Sequence, residues 1–456
     1  MVRASDTINS QTTHSTADKH LIIGAGFVGL GMAQALKTAN IPYDQVDASG
    51  AIAGNWHHGV YPTAHIISSR KVTQFSHFPM PESYPDFPSA QQMRDYLHRF
   101  ATHFDLLPQI ELNKTVTYVR PVENNLWEVT FETGEQCRYK GVLLCNGHHW
   151  SKRFPSLNGN FNGEIMHSKD YKHPDQLRHQ KVLVIGGGNS ACDIAAEAAR
   201  VGAKSVLSLR ESVWFLPKSF AGIPVTDWMQ WWMPEWVQRL LAHGMIRLTF
   251  GQHQDYGLPK PNHRLFSKHP TVNNEVPYYL KHGRITPRPA VKQLDGWQVE
   301  FVDGQRETVD LIICATGYEV AYPFLAIALQ RIKGATVQCY GGSFLSDYKG
   351  LYYMGWGQAR GGVGSLMSAY GPVFTRFLKL QDEIDIPVGL VLKELGQQLP
   401  TTHLADPQQI FRQLRLVNFA FPWIVRKAHQ LNAKYPHFSN QLLPDVEAPL
   451  QPLSVY

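Results

Sequence analysis

Residues 20–36, HLIIGAGFVGLGMAQAL, decide the fold of this chain of 456 residues. A short apolar strand leads into a glycine turn, and an apolar helix follows the turn. Gly24, Gly26 and Gly29 form the pattern GxGxxG. The first glycine allows the tight turn, the second lets a phosphate approach the backbone, and the third lets helix and strand pack closely. The stretch therefore predicts the first unit of a dinucleotide-binding fold.

The next strand-like run, YDQVDAS, contains Asp47, 21 positions after Gly26. A carboxylate at this place accepts hydrogen bonds from a free ribose, as FAD would offer. A purely structural glycine turn is the alternative. The strand, the helix and the correctly spaced acid together favour a nucleotide site.

Residues 181–212, KVLVIGGGNSACDIAAEAARVGAKSVLSLRES, repeat the same plan. Gly186, Gly188 and Ala191 form the variant GxGxxA, and Arg210 stands 22 positions after Gly188, where the first unit has its acid. A guanidinium binds the 2'-phosphate of NADPH through paired charge-assisted hydrogen bonds, whereas a carboxylate repels it. We therefore assign FAD to the first unit and NADPH to the second. A solvated arginine at a strand end is the alternative.

Two further apolar runs bracket the second unit: GVLLCNG at 141–147 and VDLIICATGY at 309–318. Such runs are typical of parallel strands that are covered on both faces. We predict an α/β fold with two Rossmann-like dinucleotide-binding domains, the NADPH domain being inserted in the FAD domain. The predicted divisions are a disordered tail at 1–19, an FAD-binding domain at 20–155 and 320–456, and an NADPH-binding domain at 156–319.

Composition excludes several other classes of protein. The net charge of +6 is mild and has no basic block, so no nucleic-acid partner is expected. The five cysteines form no CxxC pair, which argues for buried thiols in a reducing compartment and against a dithiol reductase. No apolar run reaches the roughly 20 residues of a membrane span, and the first residues lack the apolar core of a secretory signal. We expect a cytoplasmic protein without a transmembrane anchor and without a bound metal.

With these motifs in place, the chain resembles the flavin-containing monooxygenases, a family of class B flavoprotein monooxygenases. The stretch FNGEIMHSKDY at 161–171 matches the family fingerprint FxGxxxHxxxY through Phe161, Gly163, His167 and Tyr171. The other similar pieces are GNW at 54–56, FSHFPMPESYPDFPS at 75–89, HPTVNNEVP at 269–277 and ATGYEVAYPFL at 315–325.

The resemblance implies an enzyme that uses NADPH and O2. NADPH would reduce FAD, and the reduced flavin would carry oxygen as a C4a-hydroperoxide to a sulfide or an amine. His167, Tyr171 and Ser68 are the implied catalytic candidates. A linker histidine that hydrogen-bonds backbone and organises the domain joint is the alternative for His167. The implied cofactor-binding residues are Gly24, Gly26, Gly29, Asp47, Gly54, Asn55, Trp56, Phe161, Gly163, Gly186, Gly188, Asn189, Ser190, Arg210, Thr316, Gly317 and Gln358.

The chain departs from the family pattern at one place. A count without gaps back from Phe75 puts Ile67 where the family has an Asn beneath the flavin, so we expect some leakage of NADPH oxidation to peroxide. Tyr171, where Baeyer–Villiger relatives have Trp, favours soft nucleophiles over ketones. A Baeyer–Villiger monooxygenase and an NADPH oxidase-type flavoprotein stay open as alternatives.

The segment at 228–236 is crowded with tryptophan and methionine. A membrane-surface helix, a substrate entrance and a dimer contact are three interpretations of it. Because Pro234 interrupts a long helix and few lysines flank the segment, we predict burial within or between protomers. A homodimer is compatible with that prediction.

Overall fold

The computed structural model describes residues 16–230 and 232–443. In chain order, the strands are β1 (His20–Ile23), β2 (Tyr43–Val46), β3 (Ile110–Glu111), β4 (Val116–Pro121), β5 (Trp127–Phe131), β6 (Gln136–Tyr139), β7 (Gly141–Leu144), β8 (Ser151–Lys152), β9 (Gly159–Phe161), β10 (Glu164–His167), β11 (Lys181–Ile185), β12 (Lys204–Ser208), β13 (Phe215–Leu216), β14 (Ser219–Phe220), β15 (Ile223–Pro224), β16 (Thr271–Val272), β17 (Ile285–Arg288), β18 (Val291–Gly296), β19 (Gln298–Phe301), β20 (Arg306–Thr308), β21 (Leu311–Cys314), β22 (Tyr318–Glu319), β23 (Ile332–Lys333), β24 (Thr336–Val337), β25 (Leu351–Tyr353), β26 (Gln358–Ala359) and β27 (Leu404–Ala405).

The α-helices follow the same order. They are α1 (Phe27–Thr38), α2 (Asn55–His58), α3 (Arg70–Thr73), α4 (Ala90–His103), α5 (Asn189–Arg200), α6 (Val225–Trp228), α7 (Glu235–Phe250), α8 (Glu275–Lys281), α9 (Ile327–Gln330), α10 (Val363–Glu383), α11 (Val388–Glu394) and α12 (Pro407–Asn432). Single 3-10 turns lie at Thr16–Asp18, Leu107–Gln109, Glu123–Asn125, Pro174–Leu177 and His253–Tyr256.

The first large sheet has the strand order β25-β7-β1-β2-β3, and all its neighbouring strands are parallel. Successive side chains point to opposite faces. Ile22 and Leu143 therefore join the cluster formed with α1, α4 and α10, whereas Leu21 and Val142 join the cluster formed with the antiparallel sheet β4-β5-β6. Burial on both faces explains why β7 and the residues of β1 after His20 are apolar.

The second large sheet has the order β10-β21-β11-β12-β17 and is also parallel throughout. Val182 and Val184 of β11 pack with α5, α7 and α8, while Leu183 faces the small sheet β20-β19-β18-β9. Every strand of this sheet comes from residues 164–314, between β7 and β25 of the first sheet. The predicted fold class, two Rossmann-like units with one inserted in the other, is confirmed.

The chain enters and leaves the inserted unit through two adjacent segments. Residues 150–153 lead into it and residues 316–319 lead out of it; we call these two segments together the neck. Within the neck, β8 and β22 pair antiparallel, with Ser151 opposite Glu319 and Lys152 opposite Tyr318. The predicted domain boundaries at 155/156 and 319/320 lie close to the neck and stay predictions to the residue.

Two expectations, on the N-terminal tail and on the Trp-rich segment, need correction. The predicted disordered tail falls outside the described residues as far as residue 15, but Thr16–Asp18 forms a helical turn and Lys19 pairs with Asp44 at 2.8 Å. In the Trp-rich segment, Trp232 and Trp236 are 60% and 64% exposed. Burial of these two side chains within the protomer is therefore wrong. Within residues 16–230 and 232–443, no helix combines the length and apolarity needed to cross a bilayer.

Candidate active site

A cavity of about 1070 Å³ opens at the carboxyl ends of the first sheet. Its wall includes Gly24 and Gly26 after β1, Asp47 after β2 and Asn146 after β7. Ligands of open α/β sheets bind at this edge of the sheet. The cavity exceeds the roughly 300–1,000 Å³ of pockets for drug-sized ligands, as a dinucleotide requires.

The three glycines of the first turn have different structural roles. Gly24 has a φ of +110°, and a Cβ there would lie 2.4 Å from the carbonyl oxygen of Cys145. A Cβ on Gly29 would lie 2.0 Å from the carbonyl oxygen of Gly24. A Cβ on Gly26 would meet only the Cα of Gly54, at 3.8 Å. Gly24 and Gly29 are thus required by packing, whereas Gly26 keeps space open on the cavity wall.

The loop at 54–56 folds onto this turn. Gly54 has a φ of +52°, and a Cβ there would approach the Cα of Gly26 to 3.1 Å. Asn55 Nδ2 donates to the carbonyl oxygen of His149 at 2.8 Å, and Trp56 lies on the cavity wall. The structure therefore brings all three predicted residues of this loop to the cavity.

Asp47 lies on the cavity wall, where a ribose acceptor was predicted, and it also supports the turn. Its Oδ2 accepts a hydrogen bond from the backbone amide of Ala25 at 2.6 Å. Its Oδ1 accepts from the amide and the hydroxyl of Ser49 at 2.8 and 2.6 Å. These bonds hold the carboxylate in one orientation at the carboxyl end of β2.

The second unit builds the same turn. Gly186 has a φ of +136°, and a Cβ there would lie 2.3 Å from the carbonyl oxygen of Ala315 and 3.6 Å from the Cβ of Ala191. Around Gly188, no described atom lies within 4 Å of the position of a Cβ. The first glycine of each unit is therefore locked by a carbonyl of the neighbouring strand, and the second faces open space.

Two other predicted residues of the second turn contact protein groups. Asn189 Oδ1 accepts a hydrogen bond from the backbone amide of Val272 at 2.9 Å. Ser190 hydrogen-bonds to the hydroxyl of Tyr61. Thr271 Oγ1 donates to the carbonyl oxygen of Gly187 at 2.6 Å. The HPTVNNEVP stretch thus holds the turn from outside, and Asn189 orients the turn through Val272.

Arg210 lies at the carboxyl end of β12, one residue beyond Leu209. β12 is the neighbour of β11, which ends at the Gly186 turn, so Arg210 and the turn share one edge of the sheet. Its side chain is exposed and makes no hydrogen bond or ion pair with any residue that the structure describes. The adjacent Glu211 pairs with Lys268. The guanidinium is therefore available to a phosphate.

His167 closes the base of the inserted unit. The backbone amide of Lys169 donates to its Nδ1 at 3.1 Å, so Nε2 carries the proton and donates to the carbonyl oxygen of Gly317 at 3.0 Å. Burial lowers the pKa of His167, which keeps the ring neutral. Beside it, Arg153 Nε donates to the carbonyl oxygen of Thr316 at 3.0 Å. Both ring nitrogens are engaged with backbone, and this is the geometry of the linker-histidine alternative. The predicted residues Thr316 and Gly317 are themselves part of the neck, and their carbonyl oxygens accept these bonds.

Tyr171 is fully buried in the second unit. Its hydroxyl donates to Glu197 Oε2 at 2.5 Å, and Thr63 Oγ1 donates to the same oxygen at 3.4 Å. The Tyr171 ring lies 5.7 Å from the ring of Tyr61. The hydroxyl therefore satisfies a buried carboxylate on α5, and the structure gives Tyr171 a supporting place where a catalytic one was predicted.

We expect Tyr171→Phe to destabilise the protein. The change leaves Glu197 buried without its closest donor, which costs about 1–3 kcal/mol. The thermal unfolding midpoint of the FAD-loaded protein should fall by several degrees. Tyr435→Phe, at a tyrosine that is half exposed, is the matched control and should change it little. Equal shifts in the two variants would show that the Tyr171 hydroxyl contributes nothing specific.

Phe161 and Gly163 lie at the opposite edge of the second sheet. A Cβ on Gly163 would be 2.3 Å from the carbonyl oxygen of Asp310 and 2.7 Å from the Phe161 ring. Gly163 and Asp310 immediately precede β10 and β21, whereas the glycine turn follows β11. Since the three strands are parallel, the two residues sit at the amino edge. Their geometry supports packing of the small sheet, and it does not bring them to the nucleotide turn as predicted.

Three more sequence assignments stand apart from the cavity. Ser68 Oγ bonds Thr73 Oγ1 at 2.7 Å, and Ile67 packs against the core of the second unit. The backbone amide of Gln358 donates to the carbonyl oxygen of His403 at 2.8 Å. Its neighbours Gly357 and Ala359 lie on the cavity wall. None of Ile67, Ser68 and Gln358 belongs to the described cavity lining. The peroxide leakage expected from Ile67 stays a prediction.

Two groups of residues on the cavity wall were not predicted from the sequence. His148 and His149 directly follow β7, and His148 Nδ1 donates to the carbonyl oxygen of Gly355 at 2.8 Å. The Nε2 of His148 is buried and has no partner among the described residues. Both histidines could have been found, because they follow a strand whose carboxyl end reaches the site. The wall also includes residues 396–406, which carry no motif.

The sequence model of the flavin-binding monooxygenase-like family matches residues 18–382. The chain belongs to this family. It is 31% identical over 319 residues to the probable indole-3-pyruvate monooxygenase YUCCA9 of Arabidopsis thaliana, which covers 66% of this chain and 75% of that protein. It is 30% identical over 354 residues to flavin-containing monooxygenase 2 of Homo sapiens, covering 71% of this chain and 66% of that one, just under two thirds.

Solved structures of flavin monooxygenases have the same fold. The flavin-containing monooxygenase from Stenotrophomonas maltophilia has a TM-score of 0.62 at 19% identity, covering 79% of this chain and 98% of that one. The open crystal structure of cyclohexanone monooxygenase has a TM-score of 0.68 at 16% identity, covering 88% and 98%.

Membership of the flavin-binding monooxygenase family confirms the predicted enzyme class, an FAD-containing monooxygenase, with FAD and NADPH as its cofactors. The residues present fit both groups. Gly26 and Gly188 immediately precede α1 and α5 as their N-cap residues, and neither residue has a side chain to cap the first amides. Uncapped amides at a helix N-terminus bind phosphate well. Gly24, Gly26, Asp47 and the 54–56 loop would hold FAD.

Proposed function

We propose that this protein is an NADPH- and O2-dependent monooxygenase that oxygenates soft nucleophiles, namely small sulfides and tertiary amines. One observation carries the proposal. The chain builds the same glycine turn twice, each at the carboxyl edge of its own sheet, and pairs the first turn with Asp47 and the second with Arg210. Two dinucleotides with different riboses are thereby held in one chain.

The first unit holds the flavin. Gly26 keeps the space that the pyrophosphate needs, the amides of α1 face it, and Asp47 accepts from the ribose. When bound, FAD supplies the reduction of dioxygen and the transfer of one oxygen atom that the family resemblance implies. The 54–56 loop and residues 396–406 form part of the same cavity wall, and with FAD bound they would help to exclude water from it.

The second unit holds the reductant. Gly188 and the amides of α5 take the pyrophosphate, and Arg210 takes the 2'-phosphate. The neck, closed by the hydrogen bonds of His167 and Arg153, joins this unit to the first.

The character of the cavity wall agrees with a soft nucleophile as substrate. Trp56, Trp150 and Trp356 line the cavity together with Met354 and Met367. Sulfides and tertiary amines are oxygenated without loss of a proton, so little side-chain acid–base chemistry is needed. Several relatives are dimethylaniline monooxygenases (N-oxide-forming) and are named for such an amine.

Product analysis tests the proposal. FAD-loaded protein with NADPH and isotopically labelled dioxygen should convert methyl phenyl sulfide to its sulfoxide and N,N-dimethylaniline to its N-oxide, with one labelled oxygen in each product. Cyclohexanone and indole-3-pyruvate belong in the same panel, and peroxide is measured in parallel. We expect some peroxide and at most minor conversion of cyclohexanone.

Three other outcomes would replace the proposal. A lactone as the main product would identify a Baeyer–Villiger monooxygenase. Consumption of indole-3-pyruvate in preference to sulfide and amine would place the chain with YUCCA9 in substrate choice. Complete recovery of NADPH electrons as peroxide, with every substrate present, would identify an oxidase.

A further inference from the structure

Helix α12 has an apolar stripe on its outer face. Leu416, Phe419 and Trp423 follow one another by three and four residues, so they lie on one side of the helix. All three are exposed, Phe419 to 89% and Leu416 to 66%. The opposite side carries Leu414 and Phe421, which are buried against α10 and its neighbours. The stripe therefore stays exposed although the opposite side of α12 packs on the protein.

The charge of α12 has one sign. Residues 407–432 contain Arg412, Arg415, Arg426 and Lys427 and no Asp or Glu. Two of these cations precede the stripe and two follow it. A helix with an apolar stripe between cations, and without acids, has the composition of a helix that lies in the interface of a bilayer.

Helix α7 and the residues before it extend the same kind of surface. Trp232, Trp236 and Leu240 are each at least 60% exposed. The carbonyl oxygen of Met233 accepts a hydrogen bond from Gln408 Nε2, so the beginnings of α7 and α12 are in contact. We call the exposed faces of these two segments the outer face. Together the two segments expose six large apolar side chains, more than the single exposed hydrophobics that are normal on a protein surface.

We propose that the outer face docks on the surface of an anionic phospholipid bilayer. Aromatic and aliphatic side chains would enter the headgroup region, and Arg412, Arg426 and Lys427 of α12 would pair with lipid phosphates. A second copy of the chain is the competing occupant. In a two-fold contact, α12 would oppose the same cations on its partner, and the helix offers no acid to pair with them. The charge therefore favours lipid.

Sedimentation with vesicles tests the docking. The full, FAD-loaded chain is mixed with large vesicles of phosphatidylcholine, with or without phosphatidylglycerol. We expect binding that needs phosphatidylglycerol and weakens as salt is added. Phe419→Ser should weaken it roughly tenfold or more, because a side chain that enters the bilayer is lost. Joint replacement of Arg412 and Arg426 by Gln should weaken it roughly fivefold for each charge.

Ile327→Ser is the matched control, since Ile327 is 86% exposed on α9, outside the outer face. It should bind vesicles as the unchanged protein does. Flavin absorbance and circular dichroism check that each variant is folded. Equal binding to both vesicle types, or equal effects of Phe419→Ser and Ile327→Ser, would overturn the proposal. So would absence of vesicle binding together with a change of sedimentation coefficient in Phe419→Ser, which would make the outer face a contact between copies.

Discussion

A Gly26→Val protein will fold and will be isolated without FAD. The backbone at Gly26 is extended, and a Cβ there would make only an ordinary contact with the Cα of Gly54, at 3.8 Å. The two methyl groups of valine would instead occupy the cavity, at the place where the pyrophosphate must approach the amides of α1. The flavin content of the purified protein, measured by absorbance, should fall from stoichiometric to near zero.

Gly188→Val is the matched control, because Gly188 holds the same place in the second unit and also faces open space. It should retain FAD and lose the binding of NADPH. We thus expect each variant to lose the binding of a different cofactor. Stoichiometric FAD in Gly26→Val would show that the first turn is not the flavin site. Loss of FAD in both would indicate that the fold is disturbed.

Arg210→Ala will bind NADPH about ten to a hundred times more weakly and NADH unchanged. Arg210 is exposed and acts on the neighbouring Glu211, which is also exposed, through charge alone, so its loss leaves no buried group unsatisfied. What is lost is a pair of charge-assisted hydrogen bonds to the 2'-phosphate, worth about 1.5–3 kcal/mol. That free energy corresponds to the stated loss of affinity. Titration of the FAD-loaded protein with each coenzyme, followed by fluorescence, measures it.

Arg426→Ala removes the same charge from α12 and should leave both affinities unchanged. Weaker binding of NADPH and NADH alike in Arg210→Ala would mean that Arg210 supports the turn and does not read the phosphate. Unchanged binding of both would move the phosphate site to another cation of the second unit.

The parts of the site that sequence could predict are those fixed by local backbone geometry. Gly24 and Gly186 have left-handed φ values and each contacts the end of a neighbouring parallel strand, and only glycine meets both conditions. The need for glycine at these two positions can therefore be read from the sequence pattern alone. Asp47 and Arg210 were found for the same reason, since each closes a strand at a fixed distance from its turn.

The assignments that did not reach the site depend on contacts between distant segments. Phe161 and Gly163 belong to a specific motif, but their partners, Asp310 and β18, lie well over a hundred residues away in the chain. Their place at the amino edge follows from strand order, which the motif does not contain. The wall formed by residues 396–406 shows the same limitation, because nothing local in that stretch marks it as cavity lining.

The neck has a consequence for how this protein could have arisen. Cα atoms of antiparallel partners are about 4.5–5.5 Å apart, so Lys152 and Tyr318 place the entrance and exit of the inserted unit side by side. The bonds of Arg153 to Thr316 and of His167 to Gly317 both lie within residues 153–317 and close that segment on itself. A segment with adjoining ends can be exchanged with few changes at those ends. The core of this unit also includes Tyr61 and Ala64 of its host. A graft of residues 153–317 from a relative with the opposite coenzyme preference would therefore carry that preference with it, provided that the host segment around Tyr61 matches the new core.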